Sequence, residues 1–339
     1  MNRIGLLAII AICAKAQVPK VPRVPNFDSR VSLVEVDAQV IGKSGIIDGL
    51  HLEDFAVQDN RQPVTLRYCS LEETPLDIVL VFELSRFMKP KLVEMRAAVE
   101  IALAELREGD RAAVMSFAKT TQLEFPLTGN LTALKPKIRS GLADATFARE
   151  PGILAAAAAG AKYLAQFPEP HGRRVVLMFT GDVAVGFTGD NGVTEPRALV
   201  DSATASSVFW DADTALSAMV IPNKSARILR FDPLDAAVLH LDAIVNFDDF
   251  VEDVAQQTGG EVVFAAKMPR IAATPNPNAA LRQVIQRMRR RYRLFYDLPR
   301  GKPGQRRRVD VDLSPSARGE YPDARTIARK GYRIPRSQP

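Results

Sequence analysis

Side chains able to do covalent chemistry are sparse in this chain. Nucleophilic catalysis sets a serine or cysteine beside a base, and the three histidines, His51, His171 and His240, stand in no catalytic setting. No Gly-x-Ser-x-Gly turn occurs, and no Gly-x-Gly-x-x-Gly or Gly-Lys-Ser follows a strand to cradle phosphates. His51 reads as a turn residue ahead of Asp54, and His171 opens a loop after Pro168-Glu169-Pro170. Cys69 lies in an alternating segment, where a lone half-buried thiol reads as inert packing. The run Gly181 to Gly192 is rich in glycine and oxygen ligands but lacks calcium-loop spacing, so it reads as a recognition loop. Arg287, Arg289, Arg290, Arg291 and Arg293, with Arg306 to Arg308, form the strongest charge cluster, able to meet a membrane or another acidic surface. Its plainer reading is a solvated helix end whose cations favour the helix C-terminus. An enzyme is not expected.

The N-terminus bounds where such chemistry could act. Met1-Asn2-Arg3 supplies a positive charge, Ile4 to Ala14 an apolar run too short to span a bilayer, and Ala14-Lys15-Ala16 a small-x-small cleavage pattern. Residues 1–16 therefore predict a signal peptide and a periplasmic or extracellular protein, with Gln17 the first mature residue. Lipidation at Cys13 is not expected, because Ile12 stands where a small residue is needed. Loss of Arg3 and Lys15 leaves 43 of the 45 basic residues against 39 acidic ones, a modest excess. Export argues against a nucleic-acid partner. Cleavage also removes Cys13 and leaves Cys69 alone, so packing and not a disulfide must hold the chain together.

The elements that would position any site change character twice. Residues 17–29 are proline-rich and read as a linker. Residues 30–72 alternate with period two, Val34, Val36, Ala38 and Val40 against Glu35, Asp37 and Gln39, and predict a small β unit with a turn at Asp59-Asn60. From Pro75 to about 270, short fully apolar strands (78–82, 112–117, 175–179, 216–221, 261–265) alternate with helices such as the 92–106 stripe and 153–166, the pattern of a mostly parallel sheet covered on both faces. The stretch 222–249 is too long for a plain connection. Residues 276–334 read as a helix followed by returning strands at 292–296 and 309–313. Terminal strands remote in sequence need partners, and we expect them to pair into one β domain into which the α/β domain is inserted.

The strand 78–82 ends in Glu83-Leu84-Ser85-Arg86-Phe87-Met88, Gly109-Asp110-Arg111 leads into the next strand, and 175–179 ends in Thr180-Gly181-Asp182. On these residues the chain resembles von Willebrand factor A domains, whose first strand ends in Asp-x-Ser-x-Ser. The segments Gly49 to Phe55 and Asp59 to Val64, Thr258-Gly259-Gly260 and the closing Arg329-Lys330-Gly331-Tyr332 are similar to an A-domain-related family abundant in acidobacteria, over roughly residues 31 to 334. The resemblance implies a Rossmann-like fold and a top-face cation site of carboxylate and hydroxyl oxygens, Mg²⁺ or Mn²⁺. It also implies departures from that site. Glu83 stands where Asp is expected, Phe87 replaces the second Ser, Ile153 aligns with the ligand Thr (Thr146 lies in the same loop), and Thr180 stands in place of the last Asp. The expectation is a degenerate site and a metal-free domain, with no cofactor, that binds a protein partner through Glu83, Ser85, Arg86, Phe87, Thr180 and Asp182. The alternative is metal-dependent adhesion through a relaxed site of Glu83, Ser85 and Thr180.

Overall fold

The computed structural model describes residues 32–43, 45–86, 88–118, 120–143, 152–167, 171–181, 201–222, 247–266 and 274–335. The expected signal segment, the linker, Phe87, Thr146, Asp182, His240 and residues 223–246 lie outside them.

Strands from both ends of the chain build a β-sandwich. The N-terminal side contributes β1 (Leu33–Gly42), β2 (Gly45–Ile46), β3 (Phe55–Asp59), β4 (Gln62–Val64) and β5 (Leu66–Glu73). The α/β unit follows with β6 (Leu76–Glu83), α1 (Leu92–Glu105), β7 (Arg111–Phe117), β8 (Thr121–Thr128), α2 (Leu131–Ala143), α3 (Ile153–Leu164) and β9 (Arg173–Thr180). It continues through α4 (Ser202–Asp211), β10 (Ala215–Val220), α5 (Phe247–Thr258), β11 (Val262–Phe264) and α6 (Pro277–Arg289). The C-terminal side returns to the sandwich with β12 (Arg290–Asp297), β13 (Arg306–Leu313), α7 (Pro315–Glu320), β14 (Arg325–Ala328) and β15 (Gly331–Arg333).

One sandwich sheet runs β14-β1-β12-β5 with β2 beside β1, the other β15-β13-β3-β4. Period-two alternation turns Val34, Val36, Ala38 and Val40 of β1 and Tyr292, Leu294 and Tyr296 of β12 inward against Phe55, Val57, Val309, Val311 and Leu313 of the second sheet. Remote terminal strands thus share one core, as the alternating patterns require. The β3–β4 turn places Asn60 and Arg61 at φ 48 and 64, so both central residues are left-handed, the geometry that matches strand twist in a two-residue hairpin.

The α/β sheet has the order β11-β10-β9-β6-β7-β8, parallel except for β8. Its apolar strands are buried on both faces: Ile78, Leu80, Val175 and Leu177 meet α1, α2 and α6 on one side, and Val79, Val81, Val176 and Met178 meet α3, α4 and α5 on the other. The antiparallel β8 and the helices α2, α4 and α5 are additions to the sequence reading. Pro126 sits in β8, which a sheet tolerates only at its edge.

Helix α6 needs a correction. The sequence reading places it with the C-terminal strands, whereas Leu281, Val284, Ile285 and Met288 bury against Met95, Val99 and Leu103 of α1. The division between units therefore falls at Arg290. Entry and exit of the α/β unit lie side by side, because Thr74 N–H donates to the Arg289 carbonyl (3.0 Å) and Arg290 pairs with Glu73 across β5 and β12.

The Thr258-Gly259-Gly260 segment has a steric cause. Gly259 adopts φ +77 with a virtual Cβ 2.7 Å from Arg329 N, and a Cβ at Gly260 would lie 1.7 Å from the Leu216 carbonyl. Only hydrogen fits there. We expect Gly260→Ala to cost about 3 kcal/mol, the upper end of overpacking penalties, read as a fall in the urea midpoint; an unchanged midpoint would mean β10 and the 258–260 turn are not this close.

Candidate functional site

Glu83 and Thr180 are the last residues of β6 and β9, neighbouring parallel strands, so both stand at the carboxyl edge of the sheet. Alternation sets them on one face, in line with Val79 and Val81 and with Val176 and Met178. One residue back, on the opposite face of the sheet, Phe82 and Phe179 stack with ring centroids 5.2 Å apart, which holds the two strand ends in register. Backbone hydrogen bonds from Leu84 to the Phe117 carbonyl (2.7 Å) and from Ile221 to the Thr180 carbonyl (2.8 Å) extend the pairing past the strand ends.

The Glu83 carboxyl group collects the polar hydrogens of this edge. Ser85 Oγ donates to Oε1 in a short hydrogen bond, while Thr180 Oγ1 (2.6 Å) and Gly181 N–H (2.7 Å) both donate to Oε2. Glu83, Ser85 and Thr180 are each 0% exposed, which makes this a closed polar cluster and not a surface. Met88, also fully buried, covers it: its Sδ would lie 3.0 Å from a Cβ at Gly181. The extra methylene that Glu83 has over the expected Asp carries the carboxyl group across to the β9 end.

One carboxyl group and two hydroxyls meet here among the described residues, a sparse oxygen set for a hard divalent cation. Of the other positions that the resemblance assigns to oxygen ligands, one holds the buried, apolar Ile153 and one holds Thr180 in place of an acid, which leaves Glu83 as the one carboxylate at this edge among the described residues. No cluster of three or more His, Cys, Asp or Glu able to hold a metal occurs among the described residues. Ile153, aligned with the ligand threonine, is the first residue of α3 and is 4% exposed in the core with Met115 and Phe117. Of the expected contact residues, the structure brings Glu83, Ser85 and Thr180 together, leaves Arg86 exposed beside them, and does not describe Phe87 and Asp182.

The arginine cluster is a second correction. Arg287 pairs with Glu261 (2.7 Å), Arg289 with Asp110, and Arg290 with Asp48 (2.8 Å), while Arg291 is 3% exposed. Arg293 joins Glu35 and Glu72, and Arg307 joins the buried Asp59. The run is split between α6 and β12, whose alternation turns successive residues to opposite faces, so it forms neither a solvated helix end nor a flat basic patch for a membrane. Cys69 is half-buried, and burial raises its thiol to about 11, which keeps it protonated and unreactive at neutral pH. His51 caps the turn Leu52–Asp54, its N–H donating to the Asp54 carboxylate (2.7 Å).

Residues 78–184 match the family model of the von Willebrand factor type A domain. No curated protein shows a significant match to the chain. Among solved structures, the conserved hypothetical protein BatB from Bacteroides thetaiotaomicron is 14% identical with a TM-score of 0.41, over 63% of this chain and 98% of that one. Proximal thread matrix protein 1 from the mussel byssus, with a zinc-occupied MIDAS motif, is 14% identical at 0.42 over 66% and 48%. A von Willebrand factor type A structure from Catenulispora acidiphila is 13% identical at 0.36 over 85% and 74%.

Proposed function

We propose that this protein, whose α/β unit is a von Willebrand factor type A domain, is an exported, non-enzymatic binding protein that meets a protein partner through its top-face loops without a metal ion. Domains of this type commonly mediate protein interactions, which supports the coarse reading. The single observation that carries the metal-free reading is the Glu83 carboxyl group, whose oxygens take the hydrogen bonds of Ser85, Thr180 and Gly181 N–H at the strand ends. Among the described residues it is the one carboxylate at this edge, because Thr180 and Ile153 stand where the resemblance implies further oxygen ligands. Arg86, exposed just beyond β6, supplies part of the contact surface, to which the sequence adds Phe87 and Asp182. Export rests on residues 1–16. Among the described residues no helix is long and apolar enough to cross a membrane.

Calorimetric titration of the purified protein with Mg²⁺ and Mn²⁺ tests this reading. The expected result is no saturable heat with either ion. Micromolar binding lost in Ser85→Ala would overturn it in favour of metal-dependent adhesion through Glu83, Ser85 and Thr180. Partner capture from an envelope extract should give the same partners with and without chelator.

A further inference from the structure

The other end of the α/β sheet carries a feature that the binding role does not use. The amino ends of β9 and β10 face the outer side of the β14-β1-β12-β5 sheet, and a cavity of about 290 Å³ lies between the two units. Six arginines but only four carboxylates line it. All four carboxylates are engaged: Glu35 (2.6 Å) and Glu72 (3.0 Å) hold Arg293, Asp37 holds Arg173 (2.6 Å), and Asp213 pairs with Arg329 at the rim. Arg289 turns away to Asp110, and Arg174 gives its Nη groups to the Ala212 and Phe167 carbonyls.

Arg291 is left over. It projects from β12 on the same side as Arg293, is 3% exposed, and its Nε and Nη1 have no partner among the described residues. The buried Nε groups of Arg173, Arg174, Arg289 and Arg329 are also unpartnered, so six donor nitrogens on residues from three parts of the chain that line one cavity lack an acceptor among the described residues. Burial, with Arg173 adding to it and Asp37 and Glu261 opposing it, pulls Arg291 down to about 9, which still leaves it charged at neutral pH. Asp37 and Glu261 offset part of this charge through space, but each is already paired with another arginine, Arg173 and Arg287. A buried cation without a partner is costly unless an anion accompanies it.

We propose that this cavity binds a small tetrahedral oxyanion, inorganic phosphate or sulfate or the phosphoryl group of a small ester, with Arg291 as its principal contact and the Nε groups of Arg173 and Arg329 completing the cradle. A planar guanidinium fork matches two oxygens of such an ion, and donors arriving from β12, β9 and the segment before β15 ask for an acceptor with oxygens on several sides. Against the roughly 30 Å³ that one water occupies in the liquid, the cavity has room for the ion and a few waters. Because its walls come from both units, the bound anion ties the sandwich to the α/β domain.

The test uses the full chain in chloride buffer at fixed ionic strength, titrated with inorganic phosphate, sulfate and glycerol phosphate. We expect saturable one-to-one binding and a melting temperature that rises with anion concentration, since a ligand selective for the native state stabilises by mass action. Arg291→Gln should weaken binding at least tenfold, and Arg139→Gln, on α2 and paired with Glu100, should leave it unchanged. Arg291→Lys retains the charge without the fork and gives the same loss of affinity if Arg291→Gln does not fold. Tighter binding of glycerol phosphate assigns an ester as the ligand, and tighter binding of the inorganic ions assigns the free anion. No saturable heat and no ³¹P line broadening of orthophosphate with the wild-type protein, or an Arg291→Lys variant that binds as tightly as wild type, would overturn the proposal.

Discussion

Asp110→Ala is expected to destabilise the protein by about 4 kcal/mol, within the range for breaking one partner out of a buried ion pair. Asp110 is 2% exposed, and its two oxygens accept four donors: Leu76 N–H (2.9 Å), Arg107 N–H (2.7 Å) and the two Nη groups of Arg289. Leu76 opens the α/β unit and Arg289 closes it, so one carboxylate fastens both crossings. Arg289 is itself 3% exposed, with the Glu105 carbonyl (2.7 Å) as its other acceptor. Removing Asp110 leaves that charge and two backbone donors buried. A double-mutant cycle separates the parts: Arg289→Met in the Asp110→Ala background should recover much of the loss, because it removes the stranded charge while keeping the stem that packs beside α1. Urea unfolding followed by circular dichroism reads both. An Asp110→Ala protein within 1 kcal/mol of wild type would mean the crossings are held by the cores alone.

The Gly109-Asp110-Arg111 motif was visible in sequence, its work was not. Arg289 lies far down the chain from Asp110, and only the folding of α6 onto α1 brings them together. The same limit explains the arginine cluster. Composition counts its charges, but which face each residue takes depends on the register of β12 with β1 and β5, strands contributed by the other end of the chain. What alternation could have shown is that Arg291 and Arg293 share one face while Tyr292 and Leu294 share the other.

The parallel strands were legible because each is a short run apolar on both faces, and the sandwich strands because they alternate. Strand β8 was not, since Thr121 to Thr128 is largely exposed and contains Pro126. Helix α2 has Pro136 within it, and α4, Ser-Ala-Thr-Ala-Ser-Ser at its start, has little apolar periodicity, so neither announces itself. Their helices form because tertiary packing overrides weak local preference, Leu134 and Ile138 of α2 and Ala205 and Phe209 of α4 reaching opposite faces of one sheet.

Glu83 marks where sequence comparison reaches its end: a longer acid at a ligand position reads as a loss, while the fold gives the group new partners. Glu83→Ala should therefore cost roughly 3 kcal/mol, the sum expected when buried donors lose their acceptor. The loss is not spread evenly. Thr180 Oγ1 has a fallback in the Gly181 carbonyl at 3.4 Å, and Ser85 Oγ can rotate, but the Gly181 N–H is fixed by the backbone. Glu83→Asp isolates that donor: a shorter arm can keep Ser85, its near neighbour on the same strand end, and withdraws from Gly181 across on β9. It should fall between wild type and Ala in melting temperature, with selective loss of amide-exchange protection at Gly181. Glu83→Gln should retain most of the stability, since its oxygen can take the Thr180 and Gly181 hydrogens while its amide donates to Ser85 Oγ. If Ala, Asp and Gln all melt with the wild-type protein, the carboxyl group does not join the two strand ends, and the metal-free reading of the top face loses its support.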